Sequence, residues 1–302
     1  MKIIVGAGLT GATLARLFAE SGEKVTVYEK NKYAGGLCAD KQTKQGDIVQ
    51  RYGPHYFHTN DIEIIDFVSQ YAKWEKYELK VVSSIDGVLY SMPPPKEVTD
   101  IEYWNKFVLN YTVKQWGIDA RYIDSAVFDR LRKRSNEDRR YFSDEFQAVP
   151  TGGYTDFIES LLAHENITVF YGVKIPYAEK GMIWTGRLDK TFSCAHPLVW
   201  RKITFKTVRK QLNNPVVNYP GKEPYTRESI ICPGLVQREY LGWVGKTCYP
   251  MPVKEYQEEA DRMKEKVKER CVILAGRLGT YSYLNMDQAI RKAIDLFKEL
   301  TK

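Results

Sequence analysis

Lys2-Ile3-Ile4-Val5-Gly6-Ala7-Gly8-Leu9-Thr10-Gly11 decides how the rest of this chain is read. Residues 2–6 are a short apolar run of the kind that makes a buried strand. Gly6, Gly8 and Gly11 follow it as Gly-x-Gly-x-x-Gly, and residues 10–21 carry Ala12, Leu14, Ala15, Leu17 and Phe18 at helical spacing. Residues 24–29 are a second strand, closed by Glu29, 18 residues after Gly11. Strand, glycine turn, helix and second strand ending in an acid form the dinucleotide fingerprint. One glycine makes the turn, one lets the backbone approach a pyrophosphate, and one lets helix and strand pack closely. The first amides of the helix point at the phosphates, and Glu29 is placed to accept from a ribose. The plain alternative is a glycine-rich turn in an ordinary α/β unit.

Further along, residues 61–72 are predicted helical and residues 79–92 form a hairpin turning at Asp86-Gly87. Pro93-Pro94-Pro95 breaks the chain. Residues 99–135 are helical and rich in aromatics, and 154–163 form a helix after Gly152-Gly153. Residues 167–206 are β-rich, and a loop-rich stretch runs to about 253. A charged amphipathic helix follows at 254–270, then a strand at 271–275 and a closing helix at 286–300. Four parts are expected: a dinucleotide-binding part at 1–92, a reduced helical lobe with a mobile lid at 93–140, a β-rich substrate domain with interleaved cofactor-domain segments at 141–250, and a return to the first domain at 251–302.

The chain has 302 residues, 43% of them hydrophobic, and a net charge of +7, which suits an acidic small molecule at least as well as nucleic acid. Its five cysteines are scattered and its four histidines lie at no ligand spacing, so free thiols in a reducing, cytoplasmic compartment and no metal are expected. No run reaches the roughly 18 apolar residues of a membrane span.

Gly35-Gly36 follows Glu29 closely, as in FAD sites rather than NAD dehydrogenases. Ala275-Gly276-Arg277-Leu278-Gly279 makes a second glycine turn after a strand and before a helix near Met286. Two such turns at opposite ends of the chain match glutathione-reductase-type FAD wiring. The expected fold is therefore α/β with α+β elaboration: a Rossmann-like FAD domain, a small helical lobe and a β-sheet substrate domain. No second Gly-x-Gly-x-x-Gly is present for NAD(P)H.

Five stretches, in order, resemble the UDP-galactopyranose mutase family. They are Tyr52-Gly53-Pro54-His55-Tyr56-Phe57-His58-Thr59; Asn110 to Gly117; Tyr141-Phe142-Ser143-Asp144 with Pro150-x-Gly152-Gly153-Tyr154; Val217-Asn218-Tyr219 with Pro224-Tyr225-Thr226-Arg227; and Gly276-Arg277-Leu278 with Tyr281-x-Tyr283 and Met286. The resemblance implies that Arg130 and Arg227 hold a diphosphate, for which forked guanidinium bonds are apt. It implies that Tyr141, Tyr249 and Tyr283 add hydroxyls and that Trp116 borders the sugar. Tyr225 joins the substrate contacts. Phe107 and Tyr111, four apart on a helix, are placed to stack on uracil or to form an aromatic core stripe. Flavin contacts are implied for Gly6, Gly8, Leu9, Thr10, Gly11, Glu29, Lys30, Gly36, Leu37, Gly53, His55, Arg201, Gly276, Arg277, Asn285 and Met286. His55 is implied to lie in a flexible Gly53–His55 turn near flavin N5, sensing redox state rather than serving as a base.

The implied reaction interconverts UDP-galactopyranose and UDP-galactofuranose. Reduced FAD attacks the anomeric carbon through N5, UDP leaves, the sugar opens and recloses through another hydroxyl, and UDP returns. The flavin acts as nucleophile without net redox change, so an outside reductant such as NAD(P)H or a reductase keeps it reduced. The chain is short for the family, chiefly between Pro93–Pro95 and Tyr111, which leaves monomer or homodimer, and UDP-arabinopyranose as substrate, open. Asn285 stands where an acid is usual. Residues 130–140 carry six basic side chains and are expected to form a lid. An FAD oxidoreductase of amine-oxidase type and an inactive nucleotide-sugar binder are the rival functions.

Overall fold

The structure, a computed structural model, describes every residue except 95–97, 130–137, 139 and 193–196. A five-stranded, fully parallel sheet lies at its centre, in the order Ile167–Tyr171, Val25–Glu29, Lys2–Val5, Met182–Trp184, Ile273–Leu274. Alternate residues serve opposite faces, and both faces are buried. Ile4, Val25, Val27 and Ile183 join a core with Leu14, Phe18, Phe157, Ile158, Ile290 and Ile294. These bring helices Leu9–Glu20, Gly153–Leu162 and Met286–Leu300 onto one side. Val5, Met182 and Trp184 face the other way, against Trp200, Tyr281 and the Met263 and Val267 side chains of helix Lys254–Glu269. The fold is thus α/β around a dinucleotide-type sheet, and its strands come from three separated regions of sequence.

A seven-stranded sheet lies beside it, in the order Lys246–Pro250, Trp200–Arg209, Leu235–Gly242, Arg227–Cys232, Val216–Asn218, Val81–Ile85, Val88–Met92. The segment expected to be loop-rich is therefore mostly strand. Its signal was masked because its strands are cut short by Pro215, Pro220, Pro224, Gly234 and Gly245 and leave one face half exposed. The 81–92 hairpin turns at Asp86 and Gly87 with φ of 51° and 83°, as a two-residue hairpin requires. It joins this second sheet through a parallel pairing of Val81–Ile85 with Val216–Asn218. The helical lobe expected over 99–135 is irregular: a π-helical segment, Tyr103–Leu109, runs into helix Asn110–Trp116, and a short helix, Ser125–Asp129, follows. Arg130 and most of the expected basic lid lie outside the described residues.

Among the described residues, no helix is long and apolar enough to cross a membrane, and no group of three or more His, Cys, Asp or Glu is placed to hold a metal.

Candidate functional site

The glycine turns are built as a cradle. A methyl on Gly11 would overlap the Gly6 carbonyl, so helix Leu9–Glu20 approaches the first strand as only glycine permits. Gly36, at φ 58°, lies so near Gly8 that a Cβ on it would come within 2.9 Å of the Gly8 Cα. Gly35 ties the two turns by donating its N–H to Ala7 O at 2.9 Å. Helix Leu9–Glu20 has no side-chain cap and no acid in its first turn, where Leu9 and Thr10 sit buried. Its first amides are free for an anion. Leu37 is half-buried in the Gly36–Cys38 turn, and Lys30 is exposed at the end of the second strand. This cradle fits the pyrophosphate of a dinucleotide.

Glu29 is buried and already engaged. It accepts the Ala7 N–H at 2.9 Å, the Asn31 N–H at 2.8 Å and the Asn31 side-chain amide at 2.6 Å. It is a staple on the glycine turn first, with about one lone-pair position left for a ribose hydroxyl.

The second turn closes onto the first. A Cβ on Gly276 would lie 2.9 Å from Thr10 Oγ1. Arg277 donates through Nε to Leu284 O at 3.0 Å, and its guanidinium lies 4.9 Å from the Tyr283 ring and 5.6 Å from the Tyr249 ring. Asn285 caps helix Met286–Leu300 in a capping box with Gln288. Its side chain is therefore committed to the helix end, and Met286 is half-buried against the core.

His55 stands between this cradle and a polar pocket. Its Nδ1 lies 2.8 Å from Gly53 O and 3.1 Å from Gln50 Oε1; the carbonyl acceptor puts the proton on Nδ1 and leaves Nε2 as the free lone pair. Burial, then the positive charge of Arg277 and more weakly of Arg227, holds the imidazole down to about 4. It is neutral at pH 7, which argues against an acid–base role and suits a turn that meets a cofactor through its backbone. An unfolded histidine titrates near 6.5, so the contribution of His55 to stability is complete above that pH. It is lost as pH falls from about 6.5 towards the folded value of about 4, by up to roughly 3 kcal/mol. Urea unfolding from pH 7.5 to 4.5 should show a shallower acid loss in His55→Gln than in the parent; equal slopes would remove the assignment.

The pocket brings together Tyr111, Tyr141, Arg227, Tyr249 and Tyr283, with Thr112, Gln115 and Val127 completing the wall. Arg227 donates to the Tyr111 hydroxyl at 2.9 Å and to Asn218 Oδ1 at 3.2 Å, and lies 3.7 Å from Glu239. Tyr249 and Tyr283 stack, with ring centroids 5.5 Å apart. Trp116 meets Tyr249 edge-on at 5.9 Å, and its indole N–H is buried without a protein partner. A buried donor left unpaired is costly, and a polyhydroxylated ligand beside Tyr249 would satisfy it.

Three expected site residues lie elsewhere. Phe107 is buried with Tyr103, Leu79 and Val81, edge-on to Tyr90, because the π-helical turn directs it into the lobe core while Tyr111 enters the pocket. The Tyr225 ring packs under Arg238, which bonds Glu228 on the opposite face of the sheet from Arg227 and Glu239. Arg201 is buried and spends its guanidinium on the carbonyls of Gln115, at 2.8 Å, and Lys114, at 3.3 Å. It caps the helix that carries Tyr111 and Trp116.

Four neighbours were not anticipated as site residues. Glu239, buried and with its carboxyl pushed up by burial, touches both Arg227 and the position of Gly53. Asn218, Gln50 and Tyr154 also reach the site. Glu239 sits between Arg238 and Tyr240 in an ordinary strand, and no local pattern announces it.

Fold and site together define a Rossmann-type dinucleotide-binding protein with an arginine–tyrosine pocket at the mouth of the cradle. Residues 4–71 match the model of an NAD(P)-binding Rossmann-like domain, and residues 106–283 match the model of the UDP-galactopyranose mutase family. The second match spans more than half of the chain, which belongs to the UDP-galactopyranose mutase family. The chain is 27% identical to the dTDP-fucopyranose mutase of Escherichia coli, with 97% of this chain and 96% of that protein covered. It is 26% identical to the UDP-galactopyranose mutase of Mycoplasma genitalium, with 99% and 94% covered. These alignments run over 362 and 385 residues against a chain of 302, so this member is shortened. In fold, it superposes on a crystal structure of reduced UDP-galactopyranose mutase with a TM-score of 0.78 at 14% identity, covering 99% of this chain and 95% of that one. A fatty acid isomerase from P. acnes gives 0.66 at 12% identity, covering 99% and 98%.

Proposed function

We propose that the protein interconverts the pyranose and furanose forms of a nucleotide-linked sugar, UDP-galactose in the first instance, with bound FAD in its reduced form. The observation that carries this reading is Arg227. It is a half-buried cation fixed by Tyr111 and Asn218 among three further tyrosines, at the mouth of a dinucleotide cradle. The cofactor supplies the nucleophile for the anomeric carbon. The protein's own groups do the holding. Arg227 and the Tyr111, Tyr141, Tyr249 and Tyr283 hydroxyls bind the diphosphate and keep the departed nucleotide within reach for its return, a proximity effect. Trp116 borders the sugar. The cradle at Gly6–Gly11 and Gly36 takes the FAD pyrophosphate, Gly53–His55 meets the flavin, and Arg277 orders the second turn beside it. Arg130 would add a second cation. An outside reductant is required, and free thiols suit a cytoplasmic setting.

An amine-oxidase-type flavoenzyme shares the fold but has no use for the Arg227 clamp. The Escherichia coli relative favours a second substrate within the same chemistry, a dTDP-linked 6-deoxysugar.

The reduced protein should convert UDP-galactofuranose or dTDP-fucofuranose to the pyranose when incubated with dithionite and analysed by anion-exchange chromatography, with at least ten times less turnover when the flavin is left oxidised. No conversion of either, or of UDP-arabinofuranose, would overturn the reading. Conversion of only one identifies the substrate.

A further inference from the structure

We propose that Gln50 is a positioning residue that locks the Pro54–His55 peptide and thereby helps set the potential of the flavin; the second half of this statement rests on the flavin reading above. One side chain grips His55 on both sides of its backbone. Gln50 Oε1 accepts the His55 N–H, and Gln50 Nε2 donates to the His55 carbonyl at 3.2 Å. The pairing also fixes which end of the amide is oxygen, because an N–H needs an acceptor and a carbonyl needs a donor. The Tyr154 hydroxyl donates to the same carbonyl at 3.1 Å.

A peptide unit is planar and trans, so its N–H and its C=O point in opposite directions. Holding the His55 N–H on Gln50 therefore fixes the Pro54 carbonyl on the far side of the plane, and the peptide cannot turn over without breaking that bond. Gly53 precedes it at φ 87°, and the Gly53 carbonyl is taken up by His55 Nδ1. The turn is restrained from within at each of these points.

Restraint here bears on redox chemistry. Flavin N5 accepts a hydrogen bond when oxidised, and donates one after two electrons and a proton have been taken up from a reductant. A peptide free to turn offers N–H to one state and C=O to the other. A locked peptide offers the same face to both and so favours one of them. Gln50 itself stands on strand Ile48–Gln50, and its role is to hold the group that meets the flavin.

Gln50→Met tests this, since methionine keeps the volume and removes both bonds. The measurement is the flavin midpoint potential, titrated with dithionite against a reference dye. Gln50→Met is expected to hold FAD and show a displaced potential, and Tyr154→Phe, which spares the N–H bond, a smaller displacement. A Gln50→Met protein with bound FAD and an unchanged potential overturns the proposal. A second measurement needs no variant. With only four histidines, selective ¹⁵N-His labelling resolves the His55 amide, whose hydrogen exchange should be slowed at least a hundredfold relative to an unstructured amide, with or without flavin. Fast exchange in the parent protein overturns the lock. A slow amide in a protein that takes up no FAD would leave the lock intact and sink the flavin reading instead.

Discussion

Arg227→Ala is expected to abolish turnover while leaving FAD in place. Arg227 is fixed by Tyr111 at 2.9 Å and Asn218 at 3.2 Å and lies near Glu239, residues that stand apart from the glycine cradle. A preorganised charged donor aimed at a departing anion is worth about 10²–10³ in rate. The variant should lose at least that much in kcat/KM and keep the parent's flavin absorbance. Its neighbour Glu239, whose carboxyl burial already pushes up, loses the cation that opposes that push and takes up a proton more readily. That uptake limits the stability lost, because a protonated acid no longer leaves a bare charge buried. Arg227→Lys keeps the charge but not the fork, and should fall between parent and alanine. Stopped assays on the reduced protein and flavin spectra of the same samples check both halves. If flavin is lost with Arg227, that residue belongs to the cofactor; if turnover survives, the clamp is not where the diphosphate binds.

Gly8 and Gly11 should fail in different ways. An added methyl on Gly8 meets only the Gly36 backbone, its Cα at an ordinary 3.5 Å and its N at 3.9 Å. Gly8→Ala is therefore expected to fold, with unfolding free energy within about 1 kcal/mol of the parent, while the methyl fills the space a pyrophosphate must approach. FAD affinity should drop on the order of 100-fold, equivalent to about 3 kcal/mol. A methyl on Gly11 overlaps the Gly6 carbonyl, so the helix itself must move off the strand. Overpacking of that kind costs about 1–3 kcal/mol or more, and Gly11→Ala should lower the melting temperature even without flavin. Calorimetry of the apo proteins and titration with FAD separate the two. Matching behaviour of the two variants would mean that the cradle is not divided into a phosphate position and a packing position.

The strand–turn–helix–strand opening was readable because its chemistry is local: three glycines, an apolar periodicity and an acid at the right interval. The same holds for the Asp86-Gly87 hairpin and the closing helix. The pocket was readable in part. Tyr141, Arg227, Tyr249 and Tyr283, named from separate stretches of sequence, line one pocket together with Tyr111. What could not be read depends on geometry between segments. Phe107 and Tyr111 share a face of an ideal helix, but the π-helical turn before Asn110 takes them apart. Arg201 looks like any arginine at a strand end until helix Asn110–Trp116 lays its carbonyls across it. Tyr225 and Arg227 are two apart, yet Tyr225 packs with Arg238 on the opposite face of the sheet from Arg227. Glu239 is brought to Arg227 only by the pairing of two strands.

The five-stranded sheet takes its edge strand from Ile273–Leu274, and its first helix is covered by Met286–Leu300, where Phe297 meets Phe18 at 5.1 Å. Synthesis therefore delivers the cradle long before this cover. Helix Gly153–Leu162 reaches the earliest helix midway through translation, but Phe18 still waits for Phe297, and long-range pairings of this kind are slow to close and exposed to aggregation. A chain stopped short of residue 286 would carry every glycine of the cradle and lack the helix that covers the first of its helices, so nucleotide binding becomes a report that synthesis has passed that helix.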